Sequence, residues 1–177
     1  PEVADTLARQ ARRLLHVSNL YYHEPQGRLA QEIVRQMGVT GKVFFANSGA
    51  EITEASVKLS KQATKRPHTI VFTSSFHGRT HMAMAMTTSK TVYRAGHAPL
   101  PSGIFVAPFP DPMVADEPAE VARCLDAFDH LLKAMTAPDE TACVIMEPVQ
   151  GEGGYVPAPT EFMAGIVERC TQHGILF

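Results

Sequence analysis

Apolar runs that are continuous rather than alternating recur along this chain, and stretches with helical periodicity separate them. The runs are VFFA at 43–46, TIVF at 69–72, IFV at 104–106 and ACVIM at 142–146, and GILF at 174–177 opens another. A strand with one wet face alternates apolar and polar residues, whereas a strand covered on both faces reads as an unbroken apolar run. Between the runs, apolar residues return at a spacing of three or four. They are Val3, Leu7, Ala11 and Leu14 over 3–15, then Leu29, Ala30, Ile33 and Val34 over 26–37, where Gly38 supplies a stop. After Ser48 come Ile52, Ala55, Leu59 and Ala63; over 117–135 come Val121, Leu125, Phe128, Leu131 and Leu132; Phe162, Ile166 and Val167 mark a last helix. Residues 19–25 and 87–102 read as loops, with a short helix over 82–86 between the second of these and the strand before it. The order predicts the α/β class, a three-layer α/β/α unit around a largely parallel sheet. Such sheets gather ligands at the carboxyl ends of their strands, which singles out the loops at 47–51, 74–80 and 147–154.

In the first loop, Ser48 and Glu51 stand in the S-x-x-E relation of a capping box, and Gly49 lets the backbone come close to something. A helix starting there turns free N–H groups and the positive end of its dipole over the strand end, which suits a phosphate. An ordinary capped helix has the same sequence. The second loop puts Phe76, His77 and Arg79 within four residues. Phe76 is either a core ring or a flat surface for an aromatic ligand, and Arg79 either a fork for a carboxylate or a solvated or capping cation. His77 and His81 are four apart, but Gly78 weakens a helix between them and no Glu follows the first His, so no metal site is expected. In the third loop, Glu147 follows a buried strand directly, so its carboxylate must find donors in a site or in a structural network. Glu147 and Glu152 share one short loop, and sequence spacing cannot set the separation that a glycosidase would need. Gly151, Gly153 and Gly154 precede Tyr155 and Pro157 instead of opening a helix, which excludes a dinucleotide fingerprint.

Composition narrows the classes further. With 16 basic and 18 acidic residues and a net charge of −2, nothing marks a nucleic-acid surface. No apolar run is long enough to cross a bilayer and no secretory signal opens the chain, so a soluble, cytoplasmic protein is expected. Three widely spaced cysteines, Cys124, Cys143 and Cys170, read as reduced core thiols. The start at Pro1 and the stop inside an apolar run lead us to expect a piece of a longer protein.

Taken together, FFANSGAEITEASVKLS, SSFHGRTHMAMAMT, IMEPVQGEGGYVPAP and HGILF, in this order, closely resemble class III aminotransferases, which are pyridoxal-phosphate enzymes of fold type I. The likeness runs from Pro1 through SNLYYHEPQGRLA to the last residue and is strongest to the 4-aminobutyrate, ornithine and acetylornithine group. It implies that residues 1–40 are a helical segment leading into the large domain, and that 41–177 are part of that cofactor-binding domain, truncated at its C-terminus. It also implies an amino transfer from an ω-amino acid to a 2-oxo acid such as 2-oxoglutarate, in a homodimer when full-length, with no nucleic-acid or membrane partner. A non-catalytic module that keeps the fold is the alternative.

The resemblance assigns roles by position. Ser48, Gly49 and Ala50 would hold the cofactor phosphate, Phe76 would stack on the pyridine ring with His77 beside it, and Glu147 would support the cofactor side of the pocket. Arg79 matches the arginine that binds a substrate carboxylate, and Glu152 the glutamate that pairs with a switching arginine further along. The Schiff-base lysine and the Asp that meets the pyridine nitrogen fall beyond Phe177 in the family. None of the lysines here, Lys42, Lys58, Lys61, Lys65, Lys90 and Lys133, matches that lysine, so no catalytic residue is assigned and this stretch alone is expected to be inactive.

Overall fold

The computed structural model describes residues 1–18 and 20–177, in two compact units, 1–45 and 46–177. The first unit holds helices α1 (Glu2–Ala11) and α2 (Glu24–Met37). α1 ends before Leu14, and α2 takes Pro25 into its first turn, so the expected 19–25 loop is shorter than its sequence suggests; its first residue, Asn19, lies outside the described residues. Gly38 caps α2 as expected. Neither helix buries a side chain: Val3, Leu7 and Leu29 are all exposed.

The second unit is built on a parallel sheet. Strands β1 (His68–Phe72), β2 (Ile104–Ala107) and β3 (Thr141–Val144) lie in the order β2-β1-β3, with Thr69 opposite Ile104 and Phe72 opposite Ala107. Leu176 extends the sheet beyond β3: its N–H donates to the Ala142 carbonyl at 3.1 Å and its carbonyl accepts from Val144 at 2.8 Å. The apolar run at 174–177 is therefore parallel to its neighbour, as expected.

Both faces of β1 and β3 are covered, as continuous apolar strands require, while Val106 leaves one side of β2 exposed. On one face, Ile70, Phe72 and Val144 pack with Val121, Cys124, Phe128, Leu131 and Leu132 of α5 (Glu117–Ala134) and Phe162, Ile166 and Cys170 of α6 (Thr160–His173). The rings of Phe109 and Phe162 meet Phe72 edge-on, at centroid distances of 6.3 and 5.6 Å. On the other face, Val71 meets Val57 of α3 (Gly49–Thr64) and Met86 of α4 (His81–Met86). All three cysteines are buried and free. Arg66 joins layers by donating from Nη1 to the carbonyls of His173 and Gly174, at 3.2 and 2.9 Å, where α6 ends.

Four expectations need correction. Residues 43–46 form no strand, because no ladder partner lies beside them among the described residues, and an apolar run without a neighbour cannot be one. α3 buries Val57 and Ser60 and leaves Ile52 and Leu59 exposed, so its inward stripe is not the one that its larger apolar residues mark. Cys170 takes the inward place in α6, while Val167 is half-exposed. The glycine-rich stretch is also more ordered than a loop: β4 (Val149–Gln150) and β5 (Val156–Pro157) pair as an antiparallel hairpin.

Candidate active site

α3 begins where Ser48 caps it. The Ser48 Oγ accepts from the Glu51 N–H at 3.2 Å, and the Glu51 Oε2 accepts in return from the Asn47 N–H at 2.6 Å, one residue outside the usual partner of a capping box. The N–H groups of Gly49 and Ala50 occupy the first two helical positions, so no carbonyl within the helix can accept from them. A Cβ built on Gly49 would meet no protein atom within 4 Å. These residues form one side of an open cavity of about 560 Å³, whose other walls are Thr53 and the loop of Phe76, His77, Gly78, Arg79 and Thr80.

Hydroxyl groups fix that loop from behind. The Phe72 carbonyl accepts from Ser75 Oγ at 2.8 Å and from Thr88 Oγ1 at 2.6 Å. The Thr87 hydroxyl, fully buried, accepts from the His77 N–H and donates toward the Gly78 carbonyl, both at 3.0 Å. Glu54, on α3, holds the far end: its Oε1 accepts from Thr80 Oγ1 at 2.6 Å and from the Met82 and Ala83 N–H groups at 3.2 and 3.3 Å. Gly78 has φ +133°, and a Cβ there would lie 2.8 Å from the Ala50 Cβ and 3.0 Å from the Ala83 Cβ. The loop therefore rests directly on the first turn of α3.

Glu147 ties the second loop to the third. Its Oε1 accepts from the Phe76 N–H at 2.7 Å and its Oε2 from the Gly151 N–H at 3.0 Å, which supplies the donors its desolvation demands. Gln150, buried, adds a second tie through Nε2 to the Thr73 carbonyl at 2.8 Å. Glu152, in the hairpin turn, faces a cation and a phenol: its Oε2 accepts from Lys90 Nζ at 2.9 Å and from the Tyr93 hydroxyl at 2.8 Å. Those bonds lower the Glu152 carboxyl from its ordinary range and raise the Tyr93 phenol. The Tyr93 ring in turn meets Phe76 edge-on, with centroids 5.1 Å apart and planes at 70°.

Of the sequence candidates, Gly49, Ala50, Phe76, His77 and Arg79 all line the one cavity, and Ser48 and Glu147 fix its walls. Glu152 stands apart from that lining, on the Lys90–Tyr93 side. Arg79 is exposed and has no hydrogen-bond or ion-pair partner among the described residues. His77 sits in the loop and His81 at the exposed start of α4, so no helix carries them as a pair. Thr53, Glu54, Gly78, Thr80, Lys90, Tyr93 and Gln150 also shape the region without having been singled out in the sequence. For Gln150 there was a signal, a polar side chain just after a buried strand and its carboxylate; for Lys90 and Tyr93, inside a polar loop, there was none.

His77 is buried, and its Nε2 has no partner among the described residues. Burial lowers the imidazole below its ordinary pKa, against an opposing pull from the Glu147 carboxylate. A histidine with a lowered folded-state pKa takes up its proton more readily when unfolded. Its stabilising contribution is complete above the unfolded value, about 6.5, and is lost as pH falls from there through the folded value. Denaturant midpoints measured from pH 8 to pH 5 should fall below about pH 6.5, and His77→Asn should flatten that part of the decline. A variant with an unchanged slope would show that His77 titrates as freely folded as unfolded.

The described residues thus bring a helix N-terminus, an aromatic ring and a guanidinium with no partner among them to one cavity beside a parallel α/β sheet. The chain belongs to the class-III aminotransferase family, whose model matches it over residues 1–177. It is similar to a probable 4-aminobutyrate aminotransferase of Bacillus subtilis, at 35% identity over all of this chain and 42% of that protein. An acetylornithine aminotransferase of Corynebacterium efficiens is 36% identical, again over the whole chain and 42% of the relative. Among solved structures, the taurine:2-oxoglutarate aminotransferase of Bifidobacterium kashiwanohense, in complex with PLP and glutamate, superposes with a TM-score of 0.88 at 28% identity, covering 99% of this chain and 41% of that one. The chain thus spans about 42% of the length of the curated relatives it matches.

Proposed function

We propose that this chain is the cofactor-binding part of a pyridoxal-phosphate-dependent aminotransferase that moves an amino group from an ω-amino acid, of 4-aminobutyrate or ornithine type, to a 2-oxo acid such as 2-oxoglutarate. The observation that carries the reading is one cavity with two demands unmet among the described residues: N–H groups at Gly49 and Ala50 on one wall and the Arg79 guanidinium on another. The names of the two curated relatives support the same donor class.

The residues present fit the cofactor. A phosphate would take the N–H groups of Gly49 and Ala50, in the open space that a side chain at Gly49 would fill, and the helix dipole favours the negative charge. Phe76 offers a ring to the pyridine, with His77 lining the cavity beside it. When bound, pyridoxal phosphate would supply the aldehyde that exchanges for the amino group and the electron-poor ring that accepts charge. Glu147 holds the backbone N–H of Phe76 and with it the path of the loop, and Arg79 binds the donor's distal carboxylate through a planar fork. Glu152, held by Lys90 and Tyr93, sets the charge of the same region.

The reading extends to a cytoplasmic homodimer. The free, buried thiols suit a reducing compartment, and the exposed Val3 and Leu7 give a second subunit apolar surface to cover. No helix among the described residues is long and apolar enough to cross a membrane. The test is to incubate the protein encoded by the gene with pyridoxal phosphate, 2-oxoglutarate and, in turn, 4-aminobutyrate, ornithine and acetylornithine. Glutamate release with at least one donor, together with visible absorbance of bound cofactor, is the expected result; the absence of both would refute the reading.

A further inference from the structure

We propose that Tyr93 is a positioning residue that sets the plane of Phe76, and thereby the seat of the aromatic ring bound in the cavity; the inference rests on the pyridoxal-phosphate reading above. Phe76 is partly buried, and its backbone is pinned by Glu147, but a pinned N–H does not fix the rotation of the ring. Neither buried core cluster includes it. The one aromatic neighbour of Phe76 among the described residues is Tyr93, which meets it edge-on at 5.1 Å and 70°. In that geometry the positive ring edge of one partner faces the negative ring face of the other, so the contact is sensitive to orientation as well as to distance.

Tyr93 is itself held at both ends. It closes a short 3-10 turn, Thr91–Tyr93, and its hydroxyl donates to Glu152 Oε2 at 2.8 Å. That same oxygen accepts from Lys90 at 2.9 Å, so the Thr91–Tyr93 turn and the β4–β5 hairpin turn are clasped together across the carboxylate. The hairpin is anchored to the end of β1 through Gln150. A chain of fixed contacts therefore runs from β1 through the hairpin, Glu152 and Tyr93 to the Phe76 ring, while Tyr93 lies outside both core clusters. Its contact has little to hold in the fold and a ring to aim at the cavity.

The experiment uses the protein encoded by its gene and pyridoxal phosphate as the probe, with affinity read by equilibrium dialysis and ring orientation by visible circular dichroism per bound cofactor. Tyr93→Ala should weaken the dissociation constant about 3- to 10-fold, the range that an aromatic edge contact covers, and lower the dichroism per bound cofactor. Tyr93→Phe keeps the ring edge on the Thr91–Tyr93 turn and loses only the tie to Glu152, so its loss should be the smaller one, about twofold, short of the loss of a full aromatic contact. Tyr93→Leu fills the space without a ring edge and should behave as Tyr93→Ala does. If Tyr93→Ala does not fold, the comparison of Tyr93→Leu with Tyr93→Phe carries the test. Equal affinity and dichroism in Tyr93→Leu and the parent, or equal losses in Tyr93→Phe and Tyr93→Leu, would overturn the proposal. Failure of the parent protein to bind the probe would instead overturn the reading of the cavity.

Discussion

Replacing Arg79 by Ala should slow the half-reaction with the ω-amino donor while leaving the cofactor in place. Arg79 lines the cavity, and among the described residues nothing pairs with it, so its fork is free for an incoming carboxylate. Because the side chain is exposed before substrate arrives, solvent screens part of the attraction, and the loss should sit near that of hydrogen bonds to a charged group. That is about 1.5 to 3 kcal/mol, or roughly 10- to 150-fold in kcat/KM for the donor. The absorbance of the bound cofactor should survive, since the Gly49 and Ala50 N–H groups lie on α3, away from the Arg79 loop, and the Phe76 backbone is held by Glu147 and not by Arg79. Arg79→Lys should recover part of the rate, because an ammonium supplies charge without the planar pair of donors. Single-turnover rates for each half-reaction separate the cases. A donor rate changed by less than about threefold in Arg79→Ala, the scale of an ordinary surface charge, would remove Arg79 from the substrate site.

Strands β1 and β3 were legible because burial on both faces leaves a direct record in sequence. Ile70, Val71 and Phe72 are at or below 1% exposure, and nothing polar interrupts them. α5 was legible for a related reason: its inward residues Val121, Phe128, Leu131 and Leu132 are large, apolar and regularly spaced. α3 defeated the same reading. Its buried face includes Ser60, and Thr53, Ser56 and Thr64 satisfy their hydroxyls on carbonyls of their own helix, at 2.8 to 3.0 Å. Hydroxyls bonded back to the helix can turn inward at little cost, so apolar size alone marked the wrong stripe. Residues 43–46 failed for another reason, since an apolar run states that a strand would be buried but does not name its neighbour.

The site was legible where a local rule applied. Ser48 and Glu51 announced a helix start through their spacing, and Glu147 announced a need for donors through its position after a buried strand. The Lys90–Glu152–Tyr93 cluster joins residues 59 and 62 apart through an irregular loop, where no periodicity exists to be read. Such contacts are set by how the loops close on one another, and only the fold reveals them.

Two glycines in the site should answer oppositely to the same added methyl group. At Gly78, φ of +133° suits glycine alone, and a Cβ would stand 2.8 Å from the Ala50 Cβ, below any real contact distance. Gly78→Ala must therefore strain the backbone and push the loop off the first turn of α3. Each of these costs about 1 to 3 kcal/mol, so the fold should lose roughly 2 to 6 kcal/mol, a large share of a domain's stability. At Gly49 the backbone is ordinary helix and the added methyl meets no protein atom within 4 Å. Gly49→Ala should leave folding unchanged or improve it by up to about 1 kcal/mol, since alanine suits a helix better than glycine does. Its methyl group, however, occupies the space over the free N–H groups, so pyridoxal phosphate should bind more weakly. Denaturant unfolding and cofactor titration of the two variants provide the check. Unfolding of Gly49→Ala at a lower denaturant midpoint than the parent would show that the position is not open to a side chain, and unimpaired cofactor binding by it would show that the first turn of α3 is not where the phosphate sits.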